Sequence, residues 1–251
     1  MPCPLAVYEY CHIITIKREA RSRMADFLYS TYGAFKDYRP PTLSQGDIRR
    51  NDNEIWNPAN ISPTMRLLEL GCGTGQLLLY FREKGVKNFL GVDHDKEIAA
   101  ILPQEIAQNY HCDDIFNFLS TADKNSYDRI IMLDVLEHFI PPDAVRLLSE
   151  VRALLSEQGK IIVRVPNSAS PWALSAQFGD LTHKMALNTN SLKQLGAASG
   201  LKVDRLYEQL WGPRRKYITD KIIGRFLSWA LVAPPPFWGV NLYCIFSATG
   251  Q

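Results

Sequence analysis

Between Met65 and Lys84 the chain reads MRLLELGCGTGQLLLYFREK, an apolar run with one acid, then three alternate glycines, then a helical pattern. Glycine accepts backbone angles that other residues refuse and lets a ligand approach the main chain closely. Gly71, Gly73 and Gly75 therefore mark a sharp turn from a strand into a helix. The same strand-then-helix order recurs downstream. NFLGVD (88–93), NYHCD (109–113), YDRIIML (127–133) and KIIVRV (160–165) read as strands. Helical patterns cover Gln76–Lys84, Asp95 to about Leu102, and Pro142–Ser156, the last with Ala144, Leu147, Leu148, Val151 and Leu155 on one face. Two later runs, LKVDRLYE (201–208) and NLYCIFSA (241–248), complete the strand candidates. Such alternation with short links predicts an α/β, Rossmann-like doubly wound sheet, mostly parallel and covered by helices on both faces.

Residues 1–64 have another character. They are turn-rich, carry one passable helix around 19–32 and few core residues, and read as an N-terminal extension of a domain covering 65–251. Within that domain, 210–238 reads as an insertion before the last strand. The formal net charge of +2, with no long basic stripe, speaks against a nucleic-acid partner. Five widely spaced cysteines lack redox or metal-ligand spacing, so free thiols in a reducing cytosol are expected, and no metal site. No apolar run reaches the roughly 18 residues of a membrane span.

The ligand follows from the acids around the glycine turn. A dinucleotide pyrophosphate calls for G-x-G-x-x-G, whose third glycine would fall at position 76, where Gln76 stands. Instead Glu69 precedes the glycines. A carboxylate there repels a pyrophosphate and suits an amino-acid ammonium group. Asp93 closes the second strand at the carboxyl edge and can accept from both hydroxyls of a ribose. In CDDI (112–115), Asp114 can accept from an adenine amino group while the next backbone N–H reaches the ring; Asp113 competes for the role. Amino acid, ribose and adenine in that order describe S-adenosylmethionine.

LLELGCGTGQ, GVDHD, CDDI, YDRIIMLDVLEHF and GKIIVRVPN together resemble the class I S-adenosylmethionine-dependent methyltransferases, and most nearly the ubiquinone-biosynthesis and sugar-type group. The resemblance covers about residues 65–205. It implies a seven-stranded sheet whose last strand is antiparallel. Gly71, Gly73 and Gly75 would line the methionine moiety, Asp93 the ribose, and Asp114 with Ile115 the adenine. Asp134, after the fourth strand, would face cofactor or acceptor. Cys72 and His94 sit within the same loops and join the cofactor set, Cys72 as a small buried filler. One departure is a turn: Ser156–Gly159 replaces the usual Pro-Gly-Gly.

Methyl transfer is an in-line displacement, and alignment alone supplies about 7–11 kcal/mol of such a barrier. A hydroxyl acceptor must also lose a proton, for which a positioned base adds roughly 10²–10⁴-fold. The candidates are His183, in the loop after the fifth strand, and His138, just past the fourth. His183 is preferred. Glu137 reads as a solvated first-turn acid. The stretch D-x-T-H followed by Asn188-Thr189-x-Ser191-Leu192, opening a helix, resembles the substrate region of the sugar-type group. No asparagine-proline type motif follows the fourth strand, where Asp134-Val135-Leu136-Glu137 stands, which favours oxygen over a base nitrogen. The expected acceptor is a small molecule or glycan. Residues 217–238 form an amphipathic pattern with Ile218, Ile222, Phe226, Trp229 and Ala230 on one face, read first as a helix packed on the sheet and second as a contact for a membrane surface or lipid-linked acceptor. The expected place is cytoplasmic or peripheral to a membrane. The rival readings are a non-catalytic S-adenosylmethionine-binding scaffold and a nicotinamide dehydrogenase, against which Gln76 counts.

Overall fold

The computed structural model describes residues 38–209 and 214–250. Within it, Arg39–Gln251 make one compact unit. The helix expected over 19–32 lies outside the described residues, as do Cys3 and Cys11.

The elements follow in the predicted alternation. Helix α1 (Gln45–Asn51) runs into a π-helical turn (Asp52–Trp56). Then come β1 (Arg66–Leu70), α2 (Gln76–Glu83), β2 (Asn88–Asp93), α3 (Lys96–Ile101), α4 (Gln104–Ala107), β3 (Tyr110–Cys112) and α5 (Ile115–Thr121). After β4 (Tyr127–Leu133), a 3-10 turn (Leu136–His138) precedes α6 (Pro141–Ala153). The chain continues through β5 (Leu155–Pro166), α7 (Leu174–Phe178), α8 (Thr189–Ala198), β6 (Leu201–Glu208), α9 (Arg214–Ala230) and β7 (Asn241–Ala248).

The seven strands lie in the order β3-β2-β1-β4-β5-β7-β6. The first five pair in parallel, and β7 runs antiparallel between β5 and β6. The implied fold is therefore the observed one. Chain order reverses between β1 and β4, the switch point outside whose carboxyl ends such sheets bind ligands.

Side chains alternate between two cores, as strands require. Leu68, Leu70, Ile161 and Val163 face a cluster under α6 and α8; Leu67, Ile131, Ile162 and Tyr243 face another under α2. In α6 the buried residues, spaced at i, i+3, i+4 and i+7, are Ala144, Leu147, Leu148 and Val151, the predicted stripe without Leu155.

Three features differ from the sequence reading. Helix α6 stops at Ala153, and Leu155 already belongs to β5. The register against β4 then jumps from Tyr127↔Leu155 to Arg129↔Lys160, so the SEQG stretch is a bulge within one long strand. In the extension, Ile55 and Ala59 are fully buried and join the core under α2. A π-helical turn spaces its apolar residues off the 3.6-residue period, so that contribution is hidden in the sequence. Arg129 of β4 fastens this stretch. Its Nε donates to the Ala59 carbonyl at 2.7 Å and its Nη2 to that of Asn60 at 3.3 Å. Finally, α9 does sit between β6 and β7, but its apolar face is not packed on the sheet. Ile222, Phe226 and Trp229 are 63%, 59% and 81% exposed, and Gly224 is the one buried residue among those of α9 whose burial is described. Among the described residues, no helix is long and apolar enough to cross a membrane.

Candidate active site

The turn after β1 is built from backbone strain that glycine relieves. Gly71, Gly73 and Gly75 have φ of 73°, 50° and 80°. Gly71 and Cys72 both donate their N–H to the Val92 carbonyl, at 2.8 and 3.1 Å, which pins the turn to the end of β2. A Cβ on Gly71 would stand 2.5 Å from the Val135 Cγ2, whereas one on Gly73 would meet nothing within 4 Å. Open space thus lies over the middle glycine. Cys72 is buried, the filler expected; burial pushes its thiol well above the ordinary range, helped by Glu69 and Asp93.

Asp93 closes β2 and holds the turn directly. Its Oδ2 accepts from the Gly73 N–H at 2.8 Å and its Oδ1 from the Asp95 N–H at 3.1 Å. Beside it His94 is exposed, with Nδ1 3.7 Å from the Asp93 carboxylate. After β3, Asp113 donates its N–H to the Asp93 carbonyl at 3.0 Å, so the two loops share an edge. Asp114 is the exposed member of the acidic pair and caps α5, its Oδ1 accepting from Phe116 and Asn117. Ile115 follows as the first residue of that helix.

Glu69 is 3% exposed, and its Oε2 has no hydrogen-bond partner. Burial, then the nearby Asp93 charge, hold its pKa well above the ordinary carboxyl value, with Arg164 pulling the other way. A buried carboxyl lacking a partner is costly unless something meets it. An ammonium group is the partner that the sequence reading expects there.

Arg164 is the residue that sequence reasoning missed. It interrupts the apolar strand β5 and shares the sheet face of Glu69. Its Nε donates to Asp134 Oδ1 at 3.0 Å, and its Nη2 donates to the other oxygen. Burial works against its charge, yet the Asp134 carboxylate more than offsets this and raises its pKa. Asp134 itself sits at φ 56°, left-handed backbone, with its N–H donated to the Arg164 carbonyl. Below them the Tyr243 hydroxyl donates to Glu54 Oε2 at 2.9 Å, and that buried carboxyl is raised in pKa by its burial. The sole sequence signal was a lone arginine in VRV.

The two candidate bases come together. The rings of His138 and His183 meet edge to face with centroids 4.7 Å apart. Glu137 is not the solvated acid expected: it is fully buried, neither carboxylate oxygen has a hydrogen-bond partner, and burial followed by the Asp134 charge raises its pKa to about 8. Its backbone carbonyl accepts from the N–H groups of Lys184 and Met185, which ties the loop after β5 to the turn after β4. Asn188 caps α8 through Asn190 and Ser191, as the motif predicted.

A glycine turn at the switch point, an acid closing β2 and a buried acid near the end of β1 with an unpaired oxygen fit the S-adenosylmethionine site that the sequence leads one to expect. The fold and this site are those of a class I S-adenosylmethionine-dependent methyltransferase. The family described as a methyltransferase domain matches residues 44–206, and the chain belongs to it. No curated protein matches the chain. Among solved structures it is similar to a SAM-dependent methyltransferase from Archaeoglobus fulgidus, at 20% identity and TM-score 0.58, over 79% of this chain and 91% of that one. An S-adenosylmethionine-dependent methyltransferase from Clostridium acetobutylicum aligns at 14% identity and TM-score 0.57, over 90% and 98% of the two chains. The [4+2]-cyclase SpnF aligns at 14% identity and TM-score 0.59, over 91% and 95%. At these identities the structures attest the fold alone.

Proposed function

We propose that this methyltransferase acts on a hydroxyl oxygen of a small-molecule or glycan acceptor, in the manner of the ubiquinone and sugar-type group. The observation that carries the reading is the convergence of His138, His183 and Glu137 just past the carboxyl end of β4, with Glu137 and His138 three and four residues after Asp134. When bound, S-adenosylmethionine supplies a methyl group already attached to a good leaving group. The protein's part is then to align the acceptor and take its proton. In this reading Glu69 meets the ammonium, Asp93 the ribose hydroxyls, and Asp114 with the Ile115 N–H the adenine. The imidazoles of His138 and His183 supply the proton-accepting capacity.

The acceptor is proposed to be carried on a lipid or presented at a membrane surface, with the enzyme on the cytoplasmic side. Two groups of exposed apolar side chains support this: Ile222, Phe226 and Trp229 on α9, and Trp172, Phe178 and Leu181 in the connection from β5 to α8 that carries His183. Exposed basic residues Arg215, Lys216 and Lys221 on α9 add attraction for anionic lipid. The test is release of S-adenosylhomocysteine over panels of alcohols, phenols, glycans and amines. Turnover confined to amines would overturn the oxygen assignment. Failure to co-sediment with anionic liposomes would remove the membrane part.

A further inference from the structure

Asp134 is held by a chain of contacts that ends outside the sheet. It adjoins Val135, whose Cγ2 packs so closely on Gly71 that a Cβ there would stand 2.5 Å away. Asp134 therefore borders the turn that takes the methionine end of the cofactor in the proposed placement. Its side chain is 42% exposed, so a ligand can meet it. Its backbone, at φ 56°, is uphill for a residue with a Cβ. Two things keep it there: the N–H donated to the Arg164 carbonyl, and both carboxylate oxygens accepting from the Arg164 guanidinium. A two-bond pair of this kind fixes direction as well as distance.

Arg164 is positioned in turn from β7. Tyr243 is its cross-strand partner in the antiparallel ladder, and the two side chains interact through the hydroxyl. A phenol has one proton to give. Here it goes to Glu54 Oε2 at 2.9 Å, which leaves the oxygen lone pairs for the guanidinium. Without an acceptor at position 54 that proton is free to turn toward Arg164, and the contact becomes repulsive. Glu54 is itself gripped from β6 and the residue after it. The Tyr207 hydroxyl donates to its carbonyl at 2.6 Å, and Gln209 Nε2 donates to Oε2 at 3.3 Å. The rings of Tyr207 and Tyr243 stack with centroids 5.2 Å apart, so neither hydroxyl can wander.

Docking of the extension does not call for this carboxylate. Ile55 and Ala59 are fully buried, and the Tyr207 bond uses only the Glu54 main chain. A buried carboxylate with its Oε1 unpaired is costly where apolar contact would serve. We propose that Glu54 is a positioning residue for the methyl donor: through Tyr243 and Arg164 it fixes the Asp134 carboxylate toward the sulfonium end of the cofactor. This rests on the cofactor placement proposed above and is independent of what the acceptor is. S-adenosylmethionine carries a positively charged sulfur and S-adenosylhomocysteine a neutral one. A carboxylate held there therefore favours donor over product.

The test is calorimetric titration of the full chain with S-adenosylmethionine and with S-adenosylhomocysteine. Asp134→Asn should weaken the donor about tenfold and the product by less than about threefold, as loss of one charge facing another requires. Glu54→Met should reproduce that selective loss. Glu54→Gln, whose amide oxygen can accept the same hydrogen bond, should restore the wild-type ratio of the two affinities. Tyr243→Phe keeps the stacked ring and deletes the hydroxyl; it should match Glu54→Met and serves if the latter does not fold. In an Asp134→Asn background Glu54→Met should add nothing, because residues that act through one another are not additive. A merely structural glutamate would lower the melting temperature yet leave the affinity ratio of Glu54→Met and Tyr243→Phe at the wild-type value, which overturns the proposal. So do losses that multiply in the double variant, or an Asp134→Asn that weakens both compounds alike. A wild-type chain that binds neither compound would sink the cofactor placement, and this inference with it.

Discussion

Adding one methyl group at Gly71 should cost far more than adding it two residues later. Gly71→Ala and Gly73→Ala both force a non-glycine residue into left-handed backbone, at φ 73° and 50°. That conformation costs about 1–2 kcal/mol in each case. The two sites differ in what the new Cβ meets. At position 73 nothing lies within 4 Å; at position 71 the Val135 Cγ2 is 2.5 Å away. Val135 is buried, and a β-branched side chain has little freedom about χ1, so its methyl cannot swing clear. Overpacking of this kind adds about 1–3 kcal/mol. Gly71→Ala should therefore lose about 2–5 kcal/mol and Gly73→Ala about 1–2 kcal/mol. Urea unfolding without cofactor, with the denaturant slope unchanged, measures both. Values equal within about 0.5 kcal/mol would show that Val135 does not set the position of the turn.

Asp93→Ala should weaken S-adenosylhomocysteine binding by about 150-fold or more in calorimetry, from the loss of two charge-assisted hydrogen bonds of about 1.5–3 kcal/mol each; an unchanged Kd would place the ribose elsewhere. Glu69→Gln should abolish tight cofactor binding yet stabilise the cofactor-free protein at pH 7–8. The sign follows from its raised folded pKa: above the unfolded value of about 4.3 the folded state binds more protons, so the group's contribution falls as pH rises. Wild type should accordingly show a steeper downward stability slope above that pH than Glu69→Gln, which keeps the contribution of the buried Glu137, and parallel melting curves would contradict this. Arg129→Met should cost about 2–4 kcal/mol in urea unfolding, because the Ala59 and Asn60 carbonyls lose their charged donor. A loss below about 0.5 kcal/mol would show that the extension is held by its apolar contacts alone.

What the sequence revealed was whatever is local. The parallel strands β1, β2, β4 and β5 are near-continuous apolar runs because both of their faces are covered. Glu69 and Asp93 stood out as candidate site residues because each lies at or next to the end of a strand beside the turn. The Ala153–Leu155 boundary was not visible, since leucine at the helical period also fits a strand start. Nor was the Asp134–Arg164–Tyr243–Glu54 network, whose last hydrogen bond joins residues 189 positions apart. Glu137 read as solvated because an acid in DVLEHF gives no sign that the loop carrying Met185 will close over it.

The strand order also dictates when this molecule can finish folding. β6 has β7 as its neighbour in the sheet and β5 does not touch it, so the segment 201–208 cannot dock until 241–248 has threaded in between. During synthesis the half-built sheet waits with a bare margin at β5, a template for mispairing with other chains. Clipping the final ten residues would thus remove two strands from the assembly, though only one from the polypeptide.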